Sequence, residues 1–479
     1  MNKSWQTKKL GEICNTSSGG TPSRKNKIYY EGDIPWVKSG ELNFNTIRDT
    51  EEKITEEAIS ESSAKTFPKG TLLIALYGAT VGKLAFLGTD AATNQAVCAI
   101  MPKNGLDNKY LYWYLFSKRK DLVGKSIGGA QPNISQTILK DVDVPVPPLP
   151  TQHGIVEKIE ELFSELDNGV ENLKKAQKQL KTYRLSVLKD AFEGKLTKEW
   201  REKQTDLPTP DELLQQIKAE RKAHRQRELA EWEKEVEQWE KDGEPGRKPR
   251  KPSKPVEYEE ITQKESDKFE SIIGYWTLVR LGQISDSKGG HAFKSKNFRD
   301  SGKYQVLRIG NIRPNKIRFD ESPVYLDEVD DKTLDKALLK KGDVVITLTG
   351  TRKKRDYGYA ALITEDNLLL NQRIAYLRFY NTIDPKFFLY FAQTRVFQNQ
   401  FFSNETGNVG QGNVSMSAVT ESVLPAPSLT EQKLIIEEIE SRFSIIDQLE
   451  QTIKENLQKA EALRQSILKK AFGGELVEG

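Results

Sequence analysis

Cysteine, histidine and long apolar runs are scarce in this sequence. Its 479 residues include two cysteines, Cys14 and Cys98, and three histidines, His153, His224 and His291. Two cysteines cannot build a disulfide framework or a cysteine-rich zinc site, and the histidines lie far apart without metal-ligand spacing. No apolar run approaches the ~18 residues that span a bilayer, and the polar N-terminus lacks the apolar segment of a signal peptide. The sequence therefore predicts a protein of the reducing cytoplasm with no metal site.

Motifs for nucleotide binding and methyl transfer are missing as well. The stretch Gly124-Lys125-Ser126 ends like a phosphate-binding loop, but the position of the required earlier glycine holds Arg119. There is no Asn-Pro-Pro-aromatic signature of an adenine methyltransferase and no glycine-rich cofactor loop after a strand. The residues alone therefore predict a non-catalytic protein that binds no cofactor.

Charge is plentiful but unevenly distributed. The formal net charge is +4, and it conceals a segment, 201–270, with 16 basic and 19 acidic residues. Residues 1–150 carry a net charge of +4, and residues 271–425 carry +6. Two basic regions of similar composition suggest an internal repeat.

A long repeat is present. Residues 188–196 recur as residues 468–476, an offset of 280, and the same offset holds without a gap back to Ile159 and Ile439. Upstream the offset falls to 270–272, where residues 69–74 match residues 341–346. The chain is therefore predicted to be a globular region followed by a long helix, written twice.

Both predicted helices have an apolar heptad seam. Each follows a proline-rich segment and ends near a glycine, Gly194 or Gly473. About 40 residues would make a helix of ~60 Å. The spacing favours an intramolecular coiled coil, with homo-oligomerisation as the alternative, and leaves open whether the helices run parallel or antiparallel. The seam is predicted at Ile159, Leu162, Leu166, Leu173, Leu180 and Val187 in the first copy, and at Ile439, Ile446, Leu449, Ile453, Leu463 and Ile467 in the second.

The globular regions are predicted to be β-rich with some helix, which gives an α+β class. Segments 71–77 and 343–348 are apolar strand candidates, and the aromatic segments 109–115 and 386–391 are predicted to be core helices rather than base-stacking platforms. Between the regions, Thr209-Pro210-Asp211-Glu212 resembles a capping box that starts a charged helix. The Pro/Gly/basic segment 243–252 after it is predicted to be a solvated tether that does not pack.

Polar and basic residues in paired loops are the candidates for DNA contacts. Arg308, Asn311 and Arg313 have the chemistry to read guanine or adenine edges, and the basic run 352–355 could clamp phosphates. For each loop alone a solvent-exposed turn is the better interpretation, and only recurrence in both halves favours function. The candidates are Lys38, Ser39, Tyr77, Thr80, Lys83, Gln131, Asn133, Lys294, Arg308, Asn311, Arg313, Arg352, Lys353, Lys354, Arg355, Gln411 and Asn413.

The tandem plan resembles the specificity subunit of bacterial type I restriction–modification systems. The specific parts of the resemblance are the helix starts, Leu149-Pro150-Thr151-Gln152 and Leu429-Thr430-Glu431-Gln432, and the Ala-Phe-x-Gly-x-Leu endings. The resemblance implies two target recognition domains that each read half of an asymmetric bipartite double-stranded DNA site. It also implies an antiparallel coiled coil, with pseudo-two-fold symmetry, that fixes the unread spacer. Two methylation subunits and two restriction/translocase subunits would bind this scaffold, and S-adenosylmethionine and ATP/Mg would belong to them.

Five segments follow from this reading. They are target recognition domain 1 (1–147), a central coiled-coil helix (148–196), a charged insert with its linker (197–271), target recognition domain 2 (272–425) and a C-terminal coiled-coil helix (426–479). The insert is longer than the family's minimal plan requires. Two other hypotheses are a coiled-coil scaffold that does not read DNA and a DNA-acting enzyme with an unrecognised site.

Overall fold

The chain divides into two compact units, and each combines a globular region with parts of both long helices. The computed structural model describes residues 5–125 and 133–477. Unit 1 comprises Met1–Gln177 and Gln451–Gly479, and unit 2 comprises Lys178–Glu450. This division passes through both long helices, whereas the sequence places boundaries at their ends. The five-segment division therefore stays a prediction.

Two of the described helices have 44 and 45 residues, and the next longest has 32. No helix in the described ranges is long and apolar enough to cross a membrane. The long helices are α5 and α14 in the following set: α1 Leu10–Ile13, α2 Glu56–Ser60, α3 Asn108–Gly124, α4 Gln136–Lys140, α5 Leu149–Phe192, α6 Lys198–Glu202, α7 Pro210–Lys241, α8 Gln263–Ser266, α9 Leu281–Ile284, α10 Asp331–Ala337, α11 Pro385–Phe391, α12 Arg395–Ser403, α13 Met416–Thr420 and α14 Leu429–Gly473.

The globular region of unit 1 is built from short strands. They are β1 Gln6–Lys9, β2 Cys14–Ser18, β3 Ile34–Val37, β4 Asn45–Ile47, β5 Lys53–Ile54, β6 Thr66–Phe67, β7 Leu72–Ala75, β8 Leu84–Leu87, β9 Ala91–Thr93, β10 Val97–Pro102 and β11 Asp143–Val146. One sheet has the order β2-β10-β7-β8-β4, a second has the order β5-β3-β9-β6, and β1 pairs with β11. Strand β7 is buried on both faces, as its continuous apolar run predicts.

The globular region of unit 2 repeats this topology. Its strands are β12 Thr277–Arg280, β13 Ser285–Gly289, β14 Tyr304–Leu307, β15 Ile312–Arg313, β16 Lys316–Ile317, β17 Tyr325–Leu326, β18 Val344–Thr347, β19 Thr349–Thr351, β20 Ala360–Leu362, β21 Leu368–Leu370, β22 Ile374–Phe379, β23 Thr406–Gly407, β24 Gln411–Asn413 and β25 Val423–Ala426. The order β13-β22-β18-β20 matches β2-β10-β7-β8, and the parallel pair β14–β21 matches β3–β9. The α+β class with two β-rich regions is confirmed.

Each globular region is closed where its chain begins and ends. Strand β1 pairs antiparallel with β11, and β12 pairs in the same way with β25. Three residues after β11 and β25, the chain starts α5 and α14. The ladders therefore hold the start of each long helix at a fixed point on its globular region.

A fully buried glutamine joins each long helix to the region before it. The Nε2 amide of Gln152 donates to the carbonyls of Gly105 (2.9 Å) and Pro147 (2.8 Å), and its Oε1 accepts from the Asp107 N–H (2.8 Å). Gln432 makes the same three bonds, to Thr382 (3.0 Å), Pro427 (2.9 Å) and Asp384 (2.9 Å). Both side chains have 0% exposure. Because buried amide groups require partners, these bonds explain why the helix-start motif ends in glutamine in both copies.

The end of each long helix packs on an aromatic helix of its unit. In unit 2, the Phe192 ring lies 5.0 Å from Phe387 and 5.1 Å from Phe391, both on α11. In unit 1, the Phe472 ring lies 5.5 Å from Tyr110 and 5.0 Å from Tyr114, both on α3. These contacts account for the phenylalanine of the repeated ending. They also confirm that the aromatic segments form core helices.

Within each unit, the two helix parts run antiparallel. In unit 1, Arg464 of α14 donates to Asp167 of α5, and its guanidinium lies 5.1 Å from the Phe163 ring. In unit 2, Arg184 of α5 donates to Asp447 of α14, and its guanidinium lies 4.5 Å from the Phe443 ring. Each residue of the unit 1 contact is 280 positions from its counterpart in the unit 2 contact. Along α5 the contact residue moves forward from Asp167 to Arg184, while along α14 its partner moves back from Arg464 to Asp447. The helices therefore run antiparallel, an orientation that heptad spacing leaves open.

The buried seam is narrower than the sequence predicts. Leu449 is 47% exposed and Leu463 is 50% exposed, so their assignment to the seam is wrong. A pair of helices buries only one stripe on each, and these positions lie three residues beyond the buried Ile446 and Ala460, outside that stripe. Of the other predicted seam residues, Ile159, Val187, Ile439, Ile446, Ile453 and Ile467 are buried, and Leu162, Leu166, Leu173 and Leu180 are half-buried.

The insert belongs to unit 2, and its proline-rich segment packs. Helix α7 begins at the predicted capping box and buries Leu213 and Ile217. Its side chains hold the returning chain by backbone carbonyls: Trp239 binds Pro245 (3.1 Å), Trp232 binds Pro249 (3.0 Å) and Arg225 binds Pro252 (2.8 Å). These donors are seven residues apart and lie on one face of α7. The prediction that segment 243–252 does not pack is therefore wrong, because indole and guanidinium donors bind three of its carbonyls. The prediction that it is solvated is confirmed, since eight of its ten residues are exposed.

Candidate nucleic-acid interface

Three segments of unit 1 bring its candidate residues together. The Thr80 hydroxyl donates to the Ser39 carbonyl (2.7 Å), and Lys83 Nζ donates to Asn43 Oδ1 (2.9 Å). Tyr77 forms an isolated antiparallel bridge with Asn133. The loop after β3, the β7–β8 loop and Asn133 therefore lie beside one another. Gln131 lies outside the described residues.

Lys38 is held by carboxylates. Its Nζ lies 2.8 Å from Glu51 and 3.1 Å from Glu52, and hydrogen bonds to these two residues raise the pKa of Lys38 above its usual value. Two neighbouring carboxylates weaken the electrostatic attraction between this ammonium and a phosphate. DNA contact through Lys38 would therefore require these pairs to open.

In unit 2, two of the candidate residues, Arg313 and Gln411, line a cleft of about 660 Å³. The cleft lies between the β14–β15 turn, strand β19 and strand β24. Among its lining residues are Gly310, Arg313, Thr351, Asp356, Arg373 and Gln411. Strand β19 pairs with β24, so that Thr351 faces Gln411 and Thr349 faces Asn413, whose Oδ1 accepts from the Thr349 hydroxyl at 2.8 Å. Polar groups from three distant segments therefore meet in one cleft.

Asn311 is a scaffold residue, and its prediction as a base reader is wrong. It is 2% exposed. Its Oδ1 accepts from the Arg308 N–H (2.8 Å), and its Nδ2 donates to the carbonyls of Arg318 and Glu321 (both 2.9 Å). A buried amide with these three bonds holds its own turn and has no free edge for a base.

Two of the predicted arginine readers are engaged within the protein. Arg313 donates to the carbonyls of Gly310 and Ile312 and to both carboxylate oxygens of Glu321 (3.1 and 3.3 Å). Arg308 donates to the Ser322 carbonyl and is not among the residues that line the cleft. Reading by the Arg313 guanidinium requires the loss of most of these bonds, whereas Arg308, with one side-chain hydrogen bond, keeps further N–H donors.

The basic run 352–355 forms a turn directly after β19. Arg352 is bound to Glu405 (3.3 Å) and to the Gly407 carbonyl (3.3 Å), and the Arg355 guanidinium lies 4.7 Å from the Phe402 ring. Lys353 and Lys354 are exposed, and their ammonium groups have no ion pair within the described ranges. The two lysines are therefore the charges in this turn that remain available to phosphates. Lys294 is exposed at the start of another loop, away from the cleft lining.

One lining residue, Arg373, was missed from the sequence. It is exposed and directly follows Asn371-Gln372, which matches Asn94-Gln95 of the first copy. The sequence could have indicated Arg373, because a basic residue follows the Asn-Gln pair in only one of the two copies.

One group of possible metal ligands is not apparent from sequence spacing. His224 and Glu228 are four residues apart on α7, and Asp286 lies on β13. His224 Nε2 is 2.9 Å from Asp286 Oδ2, the Tyr380 hydroxyl donates to the other Asp286 oxygen (3.0 Å), and the His224 and Tyr380 rings stack at 4.3 Å. In the described part of the chain this is the group whose ligand atoms could surround an ion. Its hydrogen bonds join the insert to the globular region.

The two cysteines are poorly suited to nucleophilic chemistry. Burial raises the pKa of the Cys14 and Cys98 thiols from 9.0 to about 12. The reactive form of cysteine is the thiolate, which is scarce near neutral pH when the pKa is this high. Neither thiol is therefore a candidate nucleophile.

Comparisons with known sequences point to one family. The family model described as "Type I restriction modification DNA specificity domain" matches residues 2–181 and 274–459. The MjaIX specificity subunit of a type I restriction enzyme from Methanocaldococcus jannaschii is 35% identical over 195 residues, which cover 40% of this chain and 44% of that protein. The EcoR124I/EcoR124II specificity subunit from Escherichia coli is 32% identical over 191 residues, which cover 38% and 46%. In these two alignments the chain spans less than half the length of its relatives.

Longer alignments and solved structures extend the likeness to nearly the whole chain. The EcoKI specificity subunit from Escherichia coli K12 is 21% identical over 485 residues, which cover 98% of this chain and 89% of that protein. A chain from a structure of the type I R-M system superimposes with a TM-score of 0.66 at 16% identity and covers 99% of both chains. The HsdS subunit from Thermoanaerobacter tengcongensis gives 0.56 at 16% identity and covers 99% and 98%. The structures show a common fold, and the family match covers both repeats, so this chain belongs to the type I restriction modification DNA specificity domain family.

Proposed function

We propose that this chain is the non-catalytic DNA-specificity subunit of a type I restriction–modification complex in the cytoplasm. It recognises an asymmetric bipartite double-stranded DNA site, and each globular region reads one half-site. The main support for this proposal is that the two units have the same framework but different loops. Both units repeat the buried glutamine, the Asp–Arg pair and the closing strand ladder, whereas the loops that present polar residues differ. Such a plan suits the reading of two different half-sites from equivalent positions.

The proposal assigns the DNA contacts to residues that the structure leaves accessible. In unit 2 these are Lys353 and Lys354 for phosphates and Gln411 for a base edge, because an exposed amide can pair with adenine. In unit 1, Thr80, Lys83 and Asn133 form the corresponding polar surface. The boundaries 1–147 and 272–425 for the two recognition domains are part of the same proposal.

The partners follow from the family rather than from the geometry. We assign two methylation (M) subunits and two restriction/translocase (R) subunits to the complex. S-adenosylmethionine and ATP/Mg would be bound by those partners, so this chain needs to supply only sequence recognition and a scaffold.

Purification of the chain alone and with methylation subunits tests the proposal. The assembled complex should methylate adenines at a bipartite sequence, and the chain alone should modify nothing. DNA binding by the assembled complex should weaken steeply as the salt concentration rises, because phosphate contacts release counterions. If the assembled complex does not bind DNA at any salt concentration, the result would favour a protein scaffold. If the chain alone methylates DNA, the result would favour an enzyme.

A helix insertion tests whether the α5–α14 pair determines the spacer. One heptad inserted after Leu173, with a matching heptad after Ile453, lengthens both helices by about 10 Å. That length corresponds to about three base pairs at 3.4 Å each. Methylation mapping should then find a longer spacer between unchanged half-sites, and an unchanged spacer would rule out this role.

A further inference from the structure

The cleft of unit 2 contains one arginine whose guanidinium is free. Arg313 and Arg373 both line the cleft, and Arg313 is held by two carbonyls and by the Glu321 carboxylate. Arg373 is exposed, and among the described residues its side chain has no hydrogen-bond or ion-pair partner. The neighbouring Asp356 accepts from the Thr351 N–H at 2.6 Å. The Arg373 guanidinium therefore offers five N–H donors to a ligand in the cleft.

The backbone of Arg373 is held in an unfavourable conformation. Its φ is +74°, in the left-handed region that residues with a Cβ rarely adopt. The Arg373 carbonyl accepts from the Leu348 N–H at 2.8 Å, which fixes the peptide at the start of β22. Glycine would occupy this position without strain. Strain of this kind persists where the surrounding structure imposes it, and it is concentrated at binding sites.

The equivalent position of unit 1 lacks both features. Ala96 follows Asn94-Gln95 as Arg373 follows Asn371-Gln372, and its carbonyl accepts from the Leu76 N–H at the same distance of 2.8 Å. Ala96 does not have a positive φ, and its side chain ends at Cβ. The framework bond is thus shared, while the strained arginine occurs only in unit 2. A feature that differs between two copies of one framework is expected where the copies read different sequences.

We propose that this cleft is a base-reading site and that Arg373 determines specificity there by donating two hydrogen bonds to O6 and N7 of a guanine in the major groove. This inference rests on the proposed function and names one residue and one base for it. Gln411 also lines the cleft and can pair with a neighbouring base. Arginine to guanine is the commonest specific contact in DNA recognition, and it needs a guanidinium with a free edge. A backbone phosphate would offer a similar pair of acceptors, so the experiment must separate these two sources.

The experiment uses the chain assembled with methylation subunits, and wild-type complex must first methylate a defined bipartite site. If it does not, the proposed function fails before Arg373 is tested. Arg373→Ala should then relax the preference at a single G·C position in one half-site by roughly 10- to 100-fold, as expected for the loss of one bidentate base contact. The other half-site should stay as selective as in wild type. Arg373→Lys should recover only part of the guanine preference, because an ammonium can donate to guanine but lacks the planar fork of a guanidinium.

Two further measurements decide the outcome. Arg373→Gly should raise the melting temperature of the free chain, since it relieves the strained φ, and should lose the same base preference as Arg373→Ala. Lys354→Ala serves as the comparison, with uniform weakening across sequences and a smaller salt dependence. If Arg373→Ala keeps full selectivity, or if it weakens all sequences equally and Arg373→Lys restores binding, Arg373 does not read a base and the proposal is overturned.

Discussion

The buried amide of Gln432 offers a sharp test of how a globular region is joined to its helix. Gln432→Leu keeps the approximate size of the side chain but removes the bonds to the Asp384 N–H and to the carbonyls of Thr382 and Pro427. An unpaired buried N–H costs about 1–3 kcal/mol, and carbonyls, which tolerate the loss of a partner better, add less. We therefore expect unit 2 to lose about 2–4 kcal/mol of its free energy of unfolding.

Hydrogen–deuterium exchange read by mass spectrometry can locate this loss. Peptides that contain β12 and β25 should exchange faster in Gln432→Leu, whereas those of β1 and β11 should not change. Gln152→Leu should give the opposite pattern, because Gln152 makes the matching bonds in unit 1. Gln458→Leu is the matched control, since Gln458 is exposed on α14 and surface substitutions usually change stability by less than about 0.5 kcal/mol.

A charged variant adds a dependence on pH with a known sign. Gln432→Glu keeps an acceptor for the Asp384 N–H but turns its second oxygen toward two carbonyls. Burial and these carbonyls should raise the pKa of the introduced carboxyl above the unfolded value of about 4.3. Its stability should therefore fall as the pH rises above this value, while Gln432→Leu shows no such trend. Equal stability of Gln432→Leu and Gln458→Leu would refute the argument.

Three other predictions concern the helix pair and the insert. Arg184→Glu should cost about 1–2 kcal/mol, because it removes a partly exposed pair with Asp447 and the contact with the Phe443 ring, and addition of Asp447→Arg should recover part of that loss in thermal unfolding. Glu265 should stabilise the fold in a pH-dependent way: burial opposes ionisation, but hydrogen bonds from Arg280 and Thr262 outweigh it and lower its pKa from 4.5 to about 2. Its contribution is present above pH 4.5 and is lost as the pH falls to about 2, so the difference in melting temperature between wild type and Glu265→Gln should vanish over that range. Trp232→Ala removes the bond to Pro249 and the contact with Lys251, and trypsin should then cut the segment 247–254 about tenfold faster, whereas Glu231→Ala should leave the rate unchanged.

The sequence was sufficient to predict the elements that repeat. A spacing of 280 residues and a heptad pattern require only local periodicity, and they located α5, α14 and their endings. The orientation of the helices depends instead on which residues meet across the pair. The Asp167–Arg464 and Arg184–Asp447 contacts lie nearly 300 and 263 residues apart in sequence, and no local pattern connects them.

The insert shows the limit of reading structure from composition. Its prolines and lysines are typical of a linker, and a proline-rich backbone has few donors with which to form regular pairs. The sequence 232–239 nevertheless contains two tryptophans one heptad apart, and their indole N–H groups need acceptors. Once α7 forms, the carbonyls of Pro245 and Pro249 supply them. The pattern that mattered was the spacing of donors on the helix, which a search for apolar periodicity does not detect.

The candidate DNA contacts divide into occupied and free side chains for a related reason. Residue type selects every arginine and amide in a loop, but a folded loop uses many of these groups to hold itself in place. Asn311, Arg313 and Arg352 are occupied in this way by carbonyls and carboxylates of their own region. Among the described residues, Lys353, Lys354, Gln411 and the strained Arg373 keep free donors, and Gln411 and Arg373 also line the cleft. We therefore expect recognition residues to be those whose hydrogen-bonding capacity the fold leaves unused, and that property can be assigned only when the internal partners of every competing side chain are known.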